Sequence, residues 1–447
     1  MSSPAVKHDL TQGDEKAHLI RLTLPMIWGI MAIIVVNVVD TVFVGQLGTK
    51  PLAAMSFTFP VVMVISSLAF GIGTGASSLV ARAIGSKDHS MVRSYATQSI
   101  IIAFLIAVIF AVAGWLTIDP LFQLLGAEPV LLPYLQDYMG IWYLGCFLIV
   151  VPMVGNSAIR ASGDTRLPSY VMMTVALVNL VLDPILIFGL FGFPRLELVG
   201  AALATIIAYS VAFVVSLYIL KKKLNFLTLG ACSRQVSSVW KAILRLAVPA
   251  AGTNLIAPLS AAVTTWLVAD YGSEAVAGFG VASRIESFGL IILFALSSVM
   301  APFVGQNFGA KRYDRMKRGV TLSFNFSWVW GVVLALLFWL LANSFSGLFT
   351  DDPLALAAAN QYLYIVPISY GLLGIVYIAS NVANGVGEPV PALIMSFLRL
   401  VVLYLPLAWG LSAWLGLTGL YIATSLANIL VGLGAFYWSR SKCTGAT

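Results

Sequence analysis

The chain has 447 residues, 60% hydrophobic and only 10% charged, with a mean hydropathy of +0.95 and a net charge of +7. That leaves too little polar surface to cover a soluble globule, which excludes a water-soluble enzyme fold and leaves an integral membrane protein. The basic balance suggests nucleic acid only until the cations are placed along the chain.

In chain order, a polar tail over 1–18 precedes a first apolar span near 20–45 that carries Pro25, Asn37 and Asp40. This span is too long for a cleaved signal peptide, so the N-terminus is expected to be retained. Spans follow near 52–82, 91–118, 133–158, 167–190 and 199–221, completing a first lobe over 19–221. A polar linker over 222–243, starting within Lys221-Lys222-Lys223 and containing Arg234, leads to a second lobe over 244–440. Its spans are predicted near 244–270, 275–306, 316–344, 357–384, 391–414 and 417–438, with a short tail over 441–447. Each run is long enough to cross ~30 Å of hydrocarbon as a helix. The alternating pattern of a membrane barrel is absent, so the expected fold is all-α with twelve transmembrane helices.

The twelve spans are six written twice. Arg21-Leu22-Thr23-Leu24-Pro25 returns as Arg245-Leu246-Ala247-Val248-Pro249, an offset of 245 − 21 = 224. The same register pairs Leu47-Gly48-Thr49 with Tyr271-Gly272-Ser273, Pro129 with Pro353, and Gly163-Asp164 with Gly387-Glu388. It slips by five residues near the end, where Gly200-Ala201-Ala202-Leu203-Ala204-Thr205 meets Gly419-Leu420-Tyr421-Ile422-Ala423-Thr424. So long a period means duplicated domains rather than a solenoid.

Of the 25 Lys and Arg, 21 fall on one side of the predicted membrane, only Lys50 and Arg195 on the other, and Arg284 and Arg399 within spans. This bias places both termini and the linker in the cytoplasm and removes the need for a nucleic-acid partner. Cys146 lies within a span, whereas Cys232 and Cys443 are cytoplasmic, so no disulfide framework or zinc set is expected. His8, His18 and His89 show no metal-ligand spacing, and no cofactor is implied.

Three acids, Asp40, Asp183 and Glu286, must lie at hydrocarbon depth. Burying an ionised carboxylate is costly unless it is neutralised, paired or hydrated, so such residues mark transport sites by default. Asp40 and Asp183 sit near the outer ends of the first and fifth spans, with Asn37 three residues before one and Asn179 four before the other. Helical spacing puts each amide on its acid's face. Thr205 adds a hydroxyl, while Asn156 lies nearer the cytoplasmic end of the fourth span and reaches this group only if that helix is broken. Such oxygens hold a proton or a hard cation such as Na⁺. Pro25 within the first span and Pro184 next to Asp183 each remove a backbone donor, placing bendable turns on the acid-bearing helices. The plain alternative is that the two acids merely join helices through hydrogen bonds.

The second copy carries Thr264 for Asp40, Leu407 for Asp183, Leu403 for Asn179 and Ser380 for Asn156, so the acidic site was not duplicated. Its charged set is Arg284, Glu286 and Arg399, read either as an internal ion pair or as part of a transport path. Gly71-Ile72-Gly73-Thr74-Gly75 lies in an apolar span with no strand before it and reads as close helix packing, not a phosphate loop. The Met residues of the first copy, with Trp28, Phe57 and Phe59, suit a pliable apolar cavity or ordinary core packing.

Asp40-Thr41-Val42-Phe43-Val44-Gly45, Arg160-Ala161-Ser162-Gly163-Asp164-Thr165, Asn179-Leu180-Val181-Leu182-Asp183-Pro184 and Val199-Gly200-Ala201-Ala202, with Pro25 in the first span, together resemble the multidrug and toxic compound extrusion (MATE) family. The resemblance runs from Arg21 to Arg440 and is greatest to its DinF branch. It implies two parallel six-helix lobes in a V, with a coupling site of Asp40, Asp183, Asn179, Asn156 and Thr205 and a first helix that bends at Pro25. The NorM branch uses acids in the seventh and tenth spans, where this chain has Asn254, Ser380 and Asn381.

The expected function is secondary active efflux of amphipathic, often cationic drugs, driven by a cation through Asp40 and Asp183, with H⁺ favoured over Na⁺. Access would alternate, as in other transporters built from parallel repeats. The expected setting is a bacterial inner membrane, with the lipid bilayer and small drugs as partners and a monomer as the working form. A flippase for lipids or lipid-linked oligosaccharides is the alternative. An intramembrane enzyme would need a nucleophile with a base, or a metal set, and none is visible.

Overall fold

The computed structural model describes residues 9–228 and 236–443. Lys7, His8, Cys232, Arg234 and the tail from 444 lie outside the described residues, as does the Cys443 side chain. All regular structure among the described residues is helical. Sixteen α-helices follow in order: α1 Glu15–Gly45, α2 Thr49–Gly85, α3 His89–Leu116, α4 Ile118–Leu124, α5 Leu132–Leu144, α6 Cys146–Ala161, α7 Arg166–Phe188, α8 Glu197–Tyr218, α9 Val236–Ala269, α10 Ser273–Gly309, α11 Tyr313–Ser346, α12 Pro353–Ile365, α13 Tyr370–Val386, α14 Val390–Phe397, α15 Leu405–Leu415 and α16 Leu417–Cys443. Eleven spans are long and apolar enough to cross a membrane, and the bent pair Pro129–Leu144 and Cys146–Ala161 supplies the twelfth.

That pair is the fourth span, broken between its two halves. The chain turns by 49° between α5 and α6. The tenth span is interrupted at the matching place, where a 3₁₀ turn over Val366–Ser369 separates α12 from α13 and 145 + 224 = 369. The seventh span also begins earlier than predicted, because α9 starts at Val236 rather than 244. Ser237, Ser238 and Lys241 lower the hydropathy of these first turns without breaking the helix. The eleventh span changes pitch, with a π-helical stretch over Leu398–Tyr404 between α14 and α15.

The duplication extends to backbone detail. Lys87 and Lys311, 224 residues apart, both adopt left-handed conformations with φ of 60° and 57° in the turns before α3 and α11. Asp88 then caps α3, its carboxylate accepting from the Met91 amide at 3.1 Å and the Ser90 hydroxyl at 2.8 Å. These two bonds hold its carboxyl below the usual carboxylate range. Asp88→Ala should cost about 1 kcal/mol, read as a lower apparent Tm of the purified protein. Because the folded pKa is depressed, that contribution is complete above the ordinary carboxylate value of ~3.9 and is lost as pH falls through the folded value. The Tm gap between wild type and variant should therefore hold from pH 7 to 5 and close only below about pH 4.

The chain divides into two compact units, one containing Leu24–Ala251, the other Leu10–Thr23 with the chain from Gly252 onward. In the first, α6 packs against α2 and α3, and α7 against α8, around Ile72, Leu135, Met139, Val154 and Ala202. Gly73 lets α2 approach Ser157 of α6, while Gly71 and Gly75 bring its other side onto the backbone of Ala247 and Ile243 in α9, the close packing expected of this glycine run. In the second unit α13 is central, packed against α10, α11 and α16. Leu10–Thr23, which includes the first turns of α1, belongs here, with the Leu10 amide donating to Gln306 at 3.1 Å and Glu15 paired to Arg318 at 2.9 Å and Arg315 at 3.3 Å.

Candidate functional site

Asp40 and Asp183 stand at equal distances from the ends of their helices, 45 − 40 = 5 residues in α1 and 188 − 183 = 5 in α7. α1 is anchored against the start of α7, where a side chain on Gly29 would meet the Ser169 backbone at 3.2 Å and the Ser169 hydroxyl faces the Met26 sulfur at 3.6 Å. The two carboxylates are close enough to influence each other's charge. Asp183 is 1% exposed, and neither of its oxygens has a hydrogen-bond partner among the described residues. Asp40 is half-buried, with one such oxygen. Solvating groups for two carboxylates at hydrocarbon depth are therefore scarce, and a proton or a cation is the chemically available means of neutralising them.

Asn179 is buried one turn before Asp183 and donates to the Thr205 hydroxyl of α8 at 3.4 Å, so these two predicted residues do meet. Asn156 is buried in α6 beyond the 49° break, its carbonyl oxygen likewise without a partner among the described residues. Among the described residues no hydrogen bond joins Asn156 to either acid. Tyr138 of α5, absent from the sequence-based set, is buried where its phenol feels both carboxylates. The available signal was its repeat mate, since 138 + 224 = 362 and Tyr362 also serves an acid.

Both prolines lie inside continuous helices, Pro25 in α1 and Pro184 in α7. Pro25 leaves the Arg21 carbonyl without its helical donor, and the division between the two units falls just before it, at Thr23–Leu24.

In the second unit Glu286 of α10 accepts from the Tyr362 hydroxyl at 2.8 Å. Arg284 is exposed and forms no ion pair with Glu286, because residues two apart on a helix do not face each other. Arg399 is near enough for Glu286 to feel its charge, and its guanidinium donates to Asn428 at 3.4 Å.

A twelve-span, twice-written helical membrane protein with paired buried acids in one copy defines a transporter rather than an enzyme. The MatE family model matches residues 25–185 and 249–409, one stretch in each repeat. The chain belongs to this family, that of the MATE transporters. It is 39% identical to the FAD transporter of Shewanella oneidensis over 98% of this chain and 97% of that one. It is 25% identical to the multidrug export protein MepA of Staphylococcus aureus over 95% and 94% of the two chains. The bent form of the Vibrio cholerae MATE transporter VcmN superposes with a TM-score of 0.90 at 31% identity, covering 96% of this chain and 97% of that one.

Proposed function

We propose that this protein is a cation-coupled exporter of amphipathic organic compounds, in which H⁺ rather than Na⁺ loads Asp40 and Asp183 and cargo leaves by alternating access. The observation that carries this reading is the pair of neighbouring carboxylates whose buried oxygens have no partners among the described residues. A proton needs only one carboxylate oxygen, and the unpartnered oxygens of Asp183 and Asp40 among the described residues offer that without any rearrangement, which favours H⁺. Asn156 would join the set as the region rearranges. Neutralising Asp40 and Asp183 removes a charge from the outer ends of α1 and α7, and the missing donor at Pro25 lets α1 bend in response. Asp183 and Pro184 would link the same event to α7. The acids' place in the first repeat favours the DinF-like branch. The Lys and Arg asymmetry favours a bacterial inner membrane with the termini inside. A monomer suffices, since each proposed residue lies in one chain.

The test is ethidium transport by the full-length protein in proteoliposomes under an imposed proton gradient, with choline replacing Na⁺. Transport should persist in choline and stop on adding a protonophore. A strict requirement for Na⁺ would overturn proton coupling.

A second reading concerns the cargo. Identity of 39% to a FAD transporter, against 25% to a multidrug exporter, favours a phosphorylated flavin among the exported molecules. The flippase alternative shares the diphosphate chemistry but calls for several cations lining the cavity, and within the spans only Arg284, which is exposed, and Arg399 are candidates.

A further inference from the structure

The second unit contains a small cavity of about 80 Å³ lined by Ser260, Thr264, Arg399, Tyr404, Thr424 and Asn428, with Leu400 and Ala427 as its apolar side. Two of these residues are repeat mates of the acidic cluster. Thr264 stands 224 residues after Asp40, and Thr424 occupies the place of Thr205 once the five-residue slip is applied. The equivalents of Asp183 and Asn179 are Leu407 and Leu403, while the charge in this cavity is the guanidinium of Arg399. The duplicated position has therefore been rebuilt with the opposite sign.

Arg399 is partly buried at hydrocarbon depth, where an arginine is costly and commonly marks a substrate path. It sits on the π-helical stretch Leu398–Tyr404. Such irregular turns are rare within helices and concentrate at functional sites. A guanidinium has five N–H donors in a planar fork suited to oxyanions. Those of Arg399 meet the Asn428 carbonyl oxygen at 3.4 Å and the neighbouring Tyr377 hydroxyl. Glu286 feels its charge but makes no ion pair with it, accepting instead from the Tyr362 hydroxyl at 2.8 Å, with Tyr370 beside it. Donors thus remain for a ligand, and Ser260, Thr264 and Tyr404 line the same space, while the Thr424 hydroxyl is already given to the Leu420 carbonyl at 3.1 Å. The space is small and suits a group the size of one tetrahedral oxyanion rather than a whole organic molecule.

We infer that this cavity is a subsite for a phosphoryl group of the exported molecule, held by the Arg399 fork and the surrounding hydroxyls. The inference deepens the phosphorylated-flavin reading and rests on it for the identity of the cargo. It divides labour between the repeats, with acids for the coupling ion in the first and a cation for the cargo's anionic group in the second.

The test measures FAD and riboflavin binding to the purified full-length protein by flavin fluorescence quenching, beside transport of both in proteoliposomes. Arg399→Gln should weaken FAD binding at least tenfold while changing riboflavin binding less than twofold. Arg399→Lys should fall between, having charge without the fork. Asn428→Asp leaves Arg399 in place but gives it a carboxylate partner, and it should also weaken FAD binding severalfold, which guards against a merely unfolded Arg399 variant. Inorganic diphosphate should compete with FAD. FAD binding by the wild type that depends on Arg399, without FAD transport, would keep the subsite and sink the flavin-export reading. Absence of FAD binding by the wild type, or equal binding by wild type and all three variants, would overturn the subsite itself.

Discussion

Asp183→Asn should reduce proton-driven ethidium export at least a hundredfold while leaving the protein folded and able to bind cargo. The replacement keeps the side-chain shape and places a permanent neutral amide where the proposed cycle alternates between charged and neutral states. Asp183 is 1% exposed with both oxygens unpartnered among the described residues, so no other described group stands in for it. Asp40→Asn should cost less, about tenfold, because Asp40 is only half-buried and Asp183 would still titrate. The measurement is drug-dependent proton release in proteoliposomes, and the quantity that matters is protons released per drug moved. A lowered rate at unchanged stoichiometry would mean that the acids are structural. Unchanged coupling in both variants would remove Asp40 and Asp183 from the mechanism. Tyr138→Phe adds a finer test, since its phenol feels both carboxylates, and it should alter the pH profile of transport more than the rate at its optimum.

The twelve spans and the repeat were legible because both are written in long-range composition, which survives substitution at single positions. The two acids were legible for a related reason, since a carboxylate in an apolar run contrasts with everything around it. Three features were not. The break at Gly145 lies within an unbroken apolar run whose nearby proline, Pro152, falls inside α6 rather than at the bend, so hydropathy reads straight through it. The π-helical stretch at Leu398–Tyr404 leaves no trace in hydropathy either. Tyr138 was missed because a tyrosine in a membrane span has many ordinary uses, and only its neighbours across the bundle single it out. Arg284 shows the opposite error. Proximity in sequence suggested pairing with Glu286, but two residues along a helix turn a side chain by about 200°. The acid is served instead by Tyr362, 76 residues away, while Arg399 carries the second unit's charge into its cavity.

Gly200→Ala and its repeat mate Gly419→Ala should destabilise the protein to a similar degree and yet differ in their effect on coupling. A Cβ on Gly200 would lie 2.5 Å from the Leu186 carbonyl oxygen and 2.8 Å from the Ile187 nitrogen, and one on Gly419 would lie 2.2 Å from the Leu411 carbonyl oxygen. Backbone cannot swing aside as a flexible side chain does, so each substitution must push two adjacent helices apart, at a cost of about 1–3 kcal/mol. Gly434→Ala, with nothing within 4 Å on the same helix as Gly419, is the control and should stabilise α16 slightly by its better helix propensity. The functional difference follows from what each contact holds. Leu186 lies three residues beyond Asp183 on α7, and α8 brings the Thr205 hydroxyl to Asn179, so spreading α7 from α8 disturbs the acidic cluster directly. Leu411 belongs to α15, beyond the Arg399 cavity and remote in sequence from either proposed coupling acid. Apparent Tm should fall in both alanine variants, while proton-to-drug stoichiometry should fall only for Gly200→Ala. Equal loss of coupling in the two would mean that transport simply tracks stability, and that the α7–α8 contact has no special part in holding Asp183 where a proton can reach it.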